Sequence, residues 1–313
     1  MNPATTSTGI DILMAVHQPD LRFLEKQVES IRRQSHSDWR LFLMLDGDHP
    51  ALMDRIHEWK HQDTRIECDV LAGHSGCCRT FEAGLSRIKE KADRAAFIAL
   101  ADQDDIWEPR KLETLLESFN GHPEALMVFC DSSIIDENDA LVSPSLHMSE
   151  ERAQDFSLVS LWARNSISGH AQLFRSSLLD ICTPFPGKLC DSGLNHDHWL
   201  AMAAAHSGSI RFVNEVLVHH RLHDCNQIGP RICKPSSSGG GVSAWRHQNQ
   251  RLRAALELRH GFLRSLPGFP DQSLGCGLFI FSAVQCLLHG NLPAAFIFLR
   301  ASLAPAAFVT GPA

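Results

Sequence analysis

The run Ala96-Phe97-Ile98-Ala99-Leu100-Ala101-Asp102-Gln103-Asp104-Asp105-Ile106-Trp107-Glu108-Pro109 reads as an apolar strand that empties into an acidic loop. Residues 96–100 are too short and too uniformly apolar for an amphipathic helix, and three carboxylates then fall within four residues. Pro109 suits a first helical turn, and Leu112, Leu115, Leu116 and Phe119 follow at helical spacing. Towards the N-terminus the same unit repeats. Residues 10–16, 41–45 and 66–71 are strand-like, while Leu21, Leu24, Val28 and Ile31, then residues 51–60, then Phe81, Leu85 and Ile88 mark the helices between them. Strands alternating with helices require parallel pairing through crossovers, so the fold class is α/β with a doubly wound sheet. Such sheets gather ligands at the carboxyl ends of their strands, where Asp102 and Asp104 stand.

Past a fifth strand at residues 126–130 the alternation loosens through residues 132–160. Strand-like residues 171–174 and 216–218 and a helix at 199–205 give an α+β character. Pro235-Ser236-Ser237-Ser238-Gly239-Gly240-Gly241 is flexible by composition. The expected organisation is a domain at 1–234, divided near residue 131, a linker or loop at 235–242, and a helical region at 243–313. Within that region the apolar stretches 274–288 and 292–299 each fall short of the ~20 residues a spanning helix needs. They read either as helices packed on the domain or as peripheral contacts with a bilayer surface through 274–299.

Composition narrows the partners. With 36 acidic against 29 basic side chains among 313 residues, the formal charge is −7, and no basic run offers a nucleic-acid surface. The hydrophobic fraction of 44 % is that of a globular chain. Ten dispersed cysteines lack paired metal spacing and read as reduced thiols, and the polar start of the chain is no signal peptide, so the expected location is cytoplasmic.

Asp102 and Asp104, two apart on an extended exit, can point the same way, and Asp105 is placed to cap the following helix. Hard carboxylate oxygens suit Mg²⁺ or Mn²⁺ shared with a diphosphate. Asp197 is either a general base or simply an acidic residue in the first turn of a helix. His219, His220, Arg221 and His223 form a cluster able to supply a metal ligand and a phosphate clamp.

Several stretches, in order, resemble family 2 glycosyltransferases, particularly bacterial rhamnosyltransferase-like members. They are Ala101-Asp102-Gln103-Asp104-Asp105-Ile106-Trp107 with Pro109 and Lys111, Arg79-Thr80-Phe81-Glu82-Ala83-Gly84-Leu85, Ile167-Ser168-Gly169-His170, His196-Asp197-His198-Trp199, and His219 to Asn226. The resemblance implies a GT-A fold and a metal-dependent, inverting transfer from a nucleotide-diphosphate sugar, with rhamnose as first choice. The acceptor would be a hydroxyl of a cell-surface glycan or lipid-linked saccharide, reached at the inner face of the membrane. Carried over residue by residue, it implies donor contacts from Asp46 and Asp102, to which the charges of Arg79 and Arg221 add two further donor-binding candidates. It also implies a metal held by Asp104, to which His223 is the candidate added ligand, and its order of motifs favours Asp197 as base, with His196 or His198 the next candidate. The chain departs from the family at Leu45-Asp46-Gly47-Asp48 and at Ala15-Val16-His17-Gln18. These departures keep a non-catalytic nucleotide-sugar-binding protein as an alternative. A sugar-phosphate nucleotidylyltransferase is another alternative, although its Gly-rich loop after the first strand is absent. No Gly-x-Gly-x-x-Gly or Gly-x-Ser-x-Gly motif supports a dehydrogenase or a serine hydrolase.

Overall fold

The computed structural model describes residues 8–152, 154–223, 242–270, 276–289 and 291–302. The first half alternates as the sequence predicts: β1 (Ile10–Val16), α1 (Leu21–Arg32), β2 (Trp39–Leu45), α2 (Pro50–Gln62), β3 (Ile66–Val70), α3 (Cys77–Glu90) and β4 (Phe97–Ala101). There follow β5 (Ile106–Trp107), α4 (Lys111–Glu117), β6 (Ala125–Ile135), β7 (Leu141–Ser143), α5 (Leu146–Ser149), α6 (Leu158–Ala163), β8 (Gln172–Arg175), α7 (Leu179–Cys182), α8 (His196–Ser207) and β9 (Ser209–Arg221). The C-terminal helices are α9 (Val242–Leu263), α10 (Cys276–Leu288) and α11 (Leu292–Ser302).

All the described strands join one sheet in the order β3-β2-β1-β4-β8-β6-β9-β5, with β7 beside β6. The pairs β3-β2, β2-β1, β1-β4 and β6-β9 are parallel, whereas β8, β5 and β7 run antiparallel to their neighbours. The sheet is therefore mixed, not wholly parallel. β4 is buried along its whole length and β1 along nearly all of it, which is why both read as unbroken apolar runs. Chain order reverses between β1 and β4, so a crevice opens where Val16, Leu45 and Ala101 end their strands.

Two expectations need lengthening. The strand foreseen at 126–130 continues to Ile135, and the one at 216–218 starts at Ser209, because β6 and β9 pair with each other through shifts of register that interrupt the period-two pattern. The C-terminal helices pack on the domain. Trp162 Nε1 donates to Leu256 O at 2.9 Å, Asn291 Nδ2 donates to Ser160 Oγ, and Phe279, Ala283, Ala295 and Phe298 are buried in the shared core. The opposite face of α10 and α11 leaves Phe281, Leu288, Leu292 and Phe296 exposed. No described helix is long and apolar enough to cross a membrane. The Ser/Gly stretch and Asn226 lie outside the described residues, as do Cys225 and Cys233.

Candidate active site

One cleft of about 810 Å³ runs over the carboxyl ends of β1, β2 and β4 to the start of α8 and the C-terminal helices. Asp46, Arg79, Asp102, Asp104 and Asp197 all line it. The four carboxylates converge on the start of α3, where burial and the charges of Asp102, Asp197, Asp46 and Asp104 together push the Cys77 thiol far above its ordinary range.

At the β2 end, Asp46 accepts from Ser75 N at 2.6 Å and Gly76 N at 2.9 Å, and His74 Nδ1 lies 2.7 Å from its Oδ2. Burial works to raise this carboxyl, but the two backbone donors and His74 hold it below the usual range. Gly76, with φ of +86°, lets the chain turn both N–H groups inward just before α3 begins. His17 stacks on His74 with ring centres 4.2 Å apart, and its backbone is held by Gln103 through bonds of 2.9 and 3.1 Å, tying the end of β1 to the loop after β4.

Below the acidic loop lies a charged lattice. Asp105 is fully buried, with His220 Nδ1 2.9 Å from its Oδ1 and Arg221 N donating to the same oxygen at 3.2 Å. Burial works to raise Asp105, yet the charges of His220 and His170 and these hydrogen bonds outweigh it and take the carboxyl to about 2. On the other side of the pair, burial opposes a charged His220, but Asp105 raises it to about 9. His170 Nδ1 faces both Asp102 (3.3 Å) and Asp105 (3.5 Å), and its carbonyl accepts from the buried Lys111 Nζ at 2.6 Å. Burial lowers Lys111 to about 7. The helix-capping role expected of Asp105 is therefore corrected. The chain first forms β5 against β9, which places Asp105 beneath the sheet edge, and α4 starts at Lys111 after an Arg110 cap without a side-chain bond.

Asp102, Asp105, His170 and His220 bring ligand atoms close enough together to surround a cation, with His220 and Asp105 also paired to each other. Asp104 fits better. Burial and the charges of Asp105 and Asp102 raise it to about 6, and its Oδ2 sits 2.7 Å from His223 Nε2. Asp102 and Asp104 are thus adjacent oxygen donors whose mutual repulsion a divalent cation would relieve.

The model of the family described as Glycosyl transferase family 2 matches residues 11–181, more than half of the chain. The chain belongs to this family. An uncharacterized glycosyltransferase of Nostoc sp. is 24 % identical over 247 residues, covering 77 % of this chain and 70 % of that one. Another uncharacterized glycosyltransferase, from Methanocaldococcus jannaschii, is 22 % identical over 227 residues, covering 72 % and 74 %. Among solved structures, TarS 1–349 of S. aureus in complex with UDP-GlcNAc superposes with a TM-score of 0.53 at 12 % identity, covering 94 % of this chain and 90 % of that one. The mannosyltransferase PcManGT of Pyrobaculum calidifontis, with GDP-Man and Mn²⁺, gives 0.51 at 13 %, covering 94 % and 86 %. The fold is of GT-A type, and the activity class is glycosyl transfer.

Within that family frame the remaining candidates fall in different places. Asp197 lies in the first turn of α8, its Oδ2 accepting from Asn165 Nδ2 at 3.1 Å and its Oδ1 from His198 N at 2.7 Å. Gly169 packs closely beside it, since an added Cβ would lie 3.3 Å from Asp197 Cβ and 3.2 Å from His196 Nε2. His196 stacks on Phe81 with ring centres 3.8 Å apart, and burial lowers its pKa. His198 is pushed down to about 3 by burial and by Arg259, and it sits 2.6 Å from Leu161 O, so it serves as a neutral donor to that carbonyl. Arg79 lines the cleft but is paired with Asp191 at 2.7 Å. Next to it Cys78 forms a disulfide with Cys190, which corrects the expectation of uniformly reduced thiols.

Arg221 does not line the cleft. Its fully buried guanidinium donates to Asp104 O at 2.9 Å and Asp136 O at 3.0 Å and lies over Phe23, so it shapes the acidic loop from behind. The residues that sequence reasoning missed are His17, His74 and Asn165, together with Arg164 and Arg259 at the far end of the cleft. Only the histidine after β1 carried a signal, as the departure at Ala15-Val16-His17-Gln18; the others come from loops and helices distant in the chain.

Proposed function

We propose that the chain is an inverting glycosyltransferase that moves a sugar, first choice rhamnose or another hexose or deoxyhexose, from a nucleotide-diphosphate donor to a hydroxyl of a glycan or lipid-linked saccharide. The observation that carries this reading is the presence of Asp46, Asp102, Asp104 and Asp197 in one cleft at the reversal point of the sheet. Asp46 and the loop it orders belong to the nucleotide end. Asp102 and Asp104, with His223, are the residues that would hold Mg²⁺ or Mn²⁺. Such an ion, when bound, neutralises charge on the diphosphate. Arg79 is the donor-side cation at the rim, and Arg221 acts through the Asp104 backbone.

Asp197 takes the proton from the acceptor hydroxyl as its oxygen bonds to the anomeric carbon and the bond to the diphosphate breaks. Asn165 holds the outer oxygen of that carboxylate in place. Residues to about 131 make the donor half and 132–234 the acceptor half. Leu252, Arg259 and Ile297 bring the 243–313 region to the acceptor end. The exposed apolar face of α10 and α11 would rest on the inner membrane surface where a lipid-linked acceptor resides.

The test is Asp197→Asn. Single-turnover transfer from a confirmed donor should fall about 10²–10⁴-fold, the usual worth of a general base. Donor affinity should stay within a few-fold, because Asn keeps the size and hydrogen bonding. Asn also suits a helix start about as well as Asp, so unchanged turnover would assign Asp197 a purely structural role.

A further inference from the structure

At the acceptor end the cleft changes sign. Arg152, Arg164 and Arg259 line it there, against the carboxylates of Glu150 and Asp197. Arg152 is paired with Glu150 at 2.9 Å and also donates to Ser168 Oγ and Ser166 O. The other two meet carbonyls instead. Arg164 Nη2 donates to Glu150 O at 3.3 Å, and Arg259 Nη1 donates to Trp162 O at 2.9 Å and Ala163 O at 2.8 Å. Neither has a carboxylate partner among the described residues. Each guanidinium carries five N–H donors in a planar fork, so both keep donors to spare at the cleft wall.

Burial lowers Arg259 to about 10, which still leaves it charged at neutral pH. A partly buried cation without a counter-ion is costly unless a ligand supplies the charge. The position is informative too. Arg164 immediately precedes Asn165, whose side chain holds Asp197, and both arginines line the same cleft as the carboxylate assigned to take the acceptor's proton.

We infer that this end of the cleft binds an anionic group, phosphate or carboxylate, on the acceptor saccharide, with Arg164 and Arg259 as its ligands. The inference rests on the transfer reading above and adds the chemical class of the acceptor. An uncharged saccharide would leave both forks unused, whereas an anion within a sugar's length of the attacked hydroxyl would fix the register of the acceptor against Asp197.

The experiment loads the full chain with a nucleoside diphosphate and Mn²⁺, so that the donor end is filled, and titrates two matched pairs by calorimetry. Methyl glucuronide against methyl glucoside reads the carboxylate; glucose 6-phosphate against glucose reads the phosphate. At least one anionic probe should bind on the order of tenfold tighter than its neutral partner. Arg164→Gln and Arg259→Gln should each erase most of that preference while nucleotide binding persists. Arg164→Gln decides alone if the more buried variant does not fold. Equal binding within both pairs, or a preference that survives the substitutions, overturns the inference while intact nucleotide binding leaves the transfer reading standing. A wild-type chain that binds no nucleoside diphosphate overturns both.

Discussion

Asp105 and His220 make the clearest case at the scale of single residues. His220 is raised from 6.5 to about 9 in the folded chain, so its charged contact stabilises fully below its unfolded value and fades as pH rises through the folded one. Asp105 is lowered from 3.8 to about 2, so its share is lost only in strong acid. The stability that His220→Gln removes should therefore be greatest near about pH 6 and shrink towards about pH 9.5, read from urea midpoints of both proteins at each pH. An equal loss at both values would mean that the imidazole is neutral and merely packed. The same pair shows what the sequence could not say. Asp102 and Asp104 were legible because an apolar strand ending in carboxylates marks a sheet edge. Asp105 looked like a helix cap, because its partner stands 115 positions away and only the folded sheet brings the two together.

Among the elements, β5 brings the acidic loop to the histidines of β9, β9 is held in turn against β6, and Gly208 stands where that second pairing begins. An added Cβ there would lie 2.6 Å from Glu124 O and 2.8 Å from Leu126 Cγ. The same Glu124 carbonyl accepts from Ser209 N at 2.9 Å as β9 starts. Gly208→Ala must push backbone away, and a loss of roughly 1–3 kcal/mol is expected from the crowding. Thermal or urea unfolding checks it; an unshifted midpoint would show that this junction has slack. The β1-to-β4 units were readable because strands buried on both faces give plain apolar runs. β5 was not, since two residues pair only after β9 is in place, and the length of β9 was hidden by its register shifts. The link of Cys78 to Cys190 was equally silent, because nothing local ties residues 112 apart in sequence.

Across the whole molecule the part of the cleft over β1, β2 and β4 follows from its own stretch of sequence, whereas the other end is assembled from residues of α8, α9 and α11 and the segment after α6, which no local pattern joins. The outer face of α10 and α11 leaves Phe281 58 % and Phe296 60 % exposed. If that face meets lipid, the wild-type chain floats with vesicles of anionic and zwitterionic phospholipid, and the double variant Phe281→Glu, Phe296→Glu stays in the dense fraction. Equal sedimentation of both would leave the face to some other use. The proposed transfer requires the cleft to hold a nucleoside diphosphate through a cation anchored on Asp104. Calorimetry of UDP, GDP and dTDP with Mn²⁺ and with chelator, for wild type and Asp104→Ala, tests it most directly. At least one nucleotide should bind the wild-type chain only when Mn²⁺ is present, and Asp104→Ala should bind it weakly and alike in both conditions. Binding of equal strength with Mn²⁺ and with chelator in the wild-type chain would contradict it.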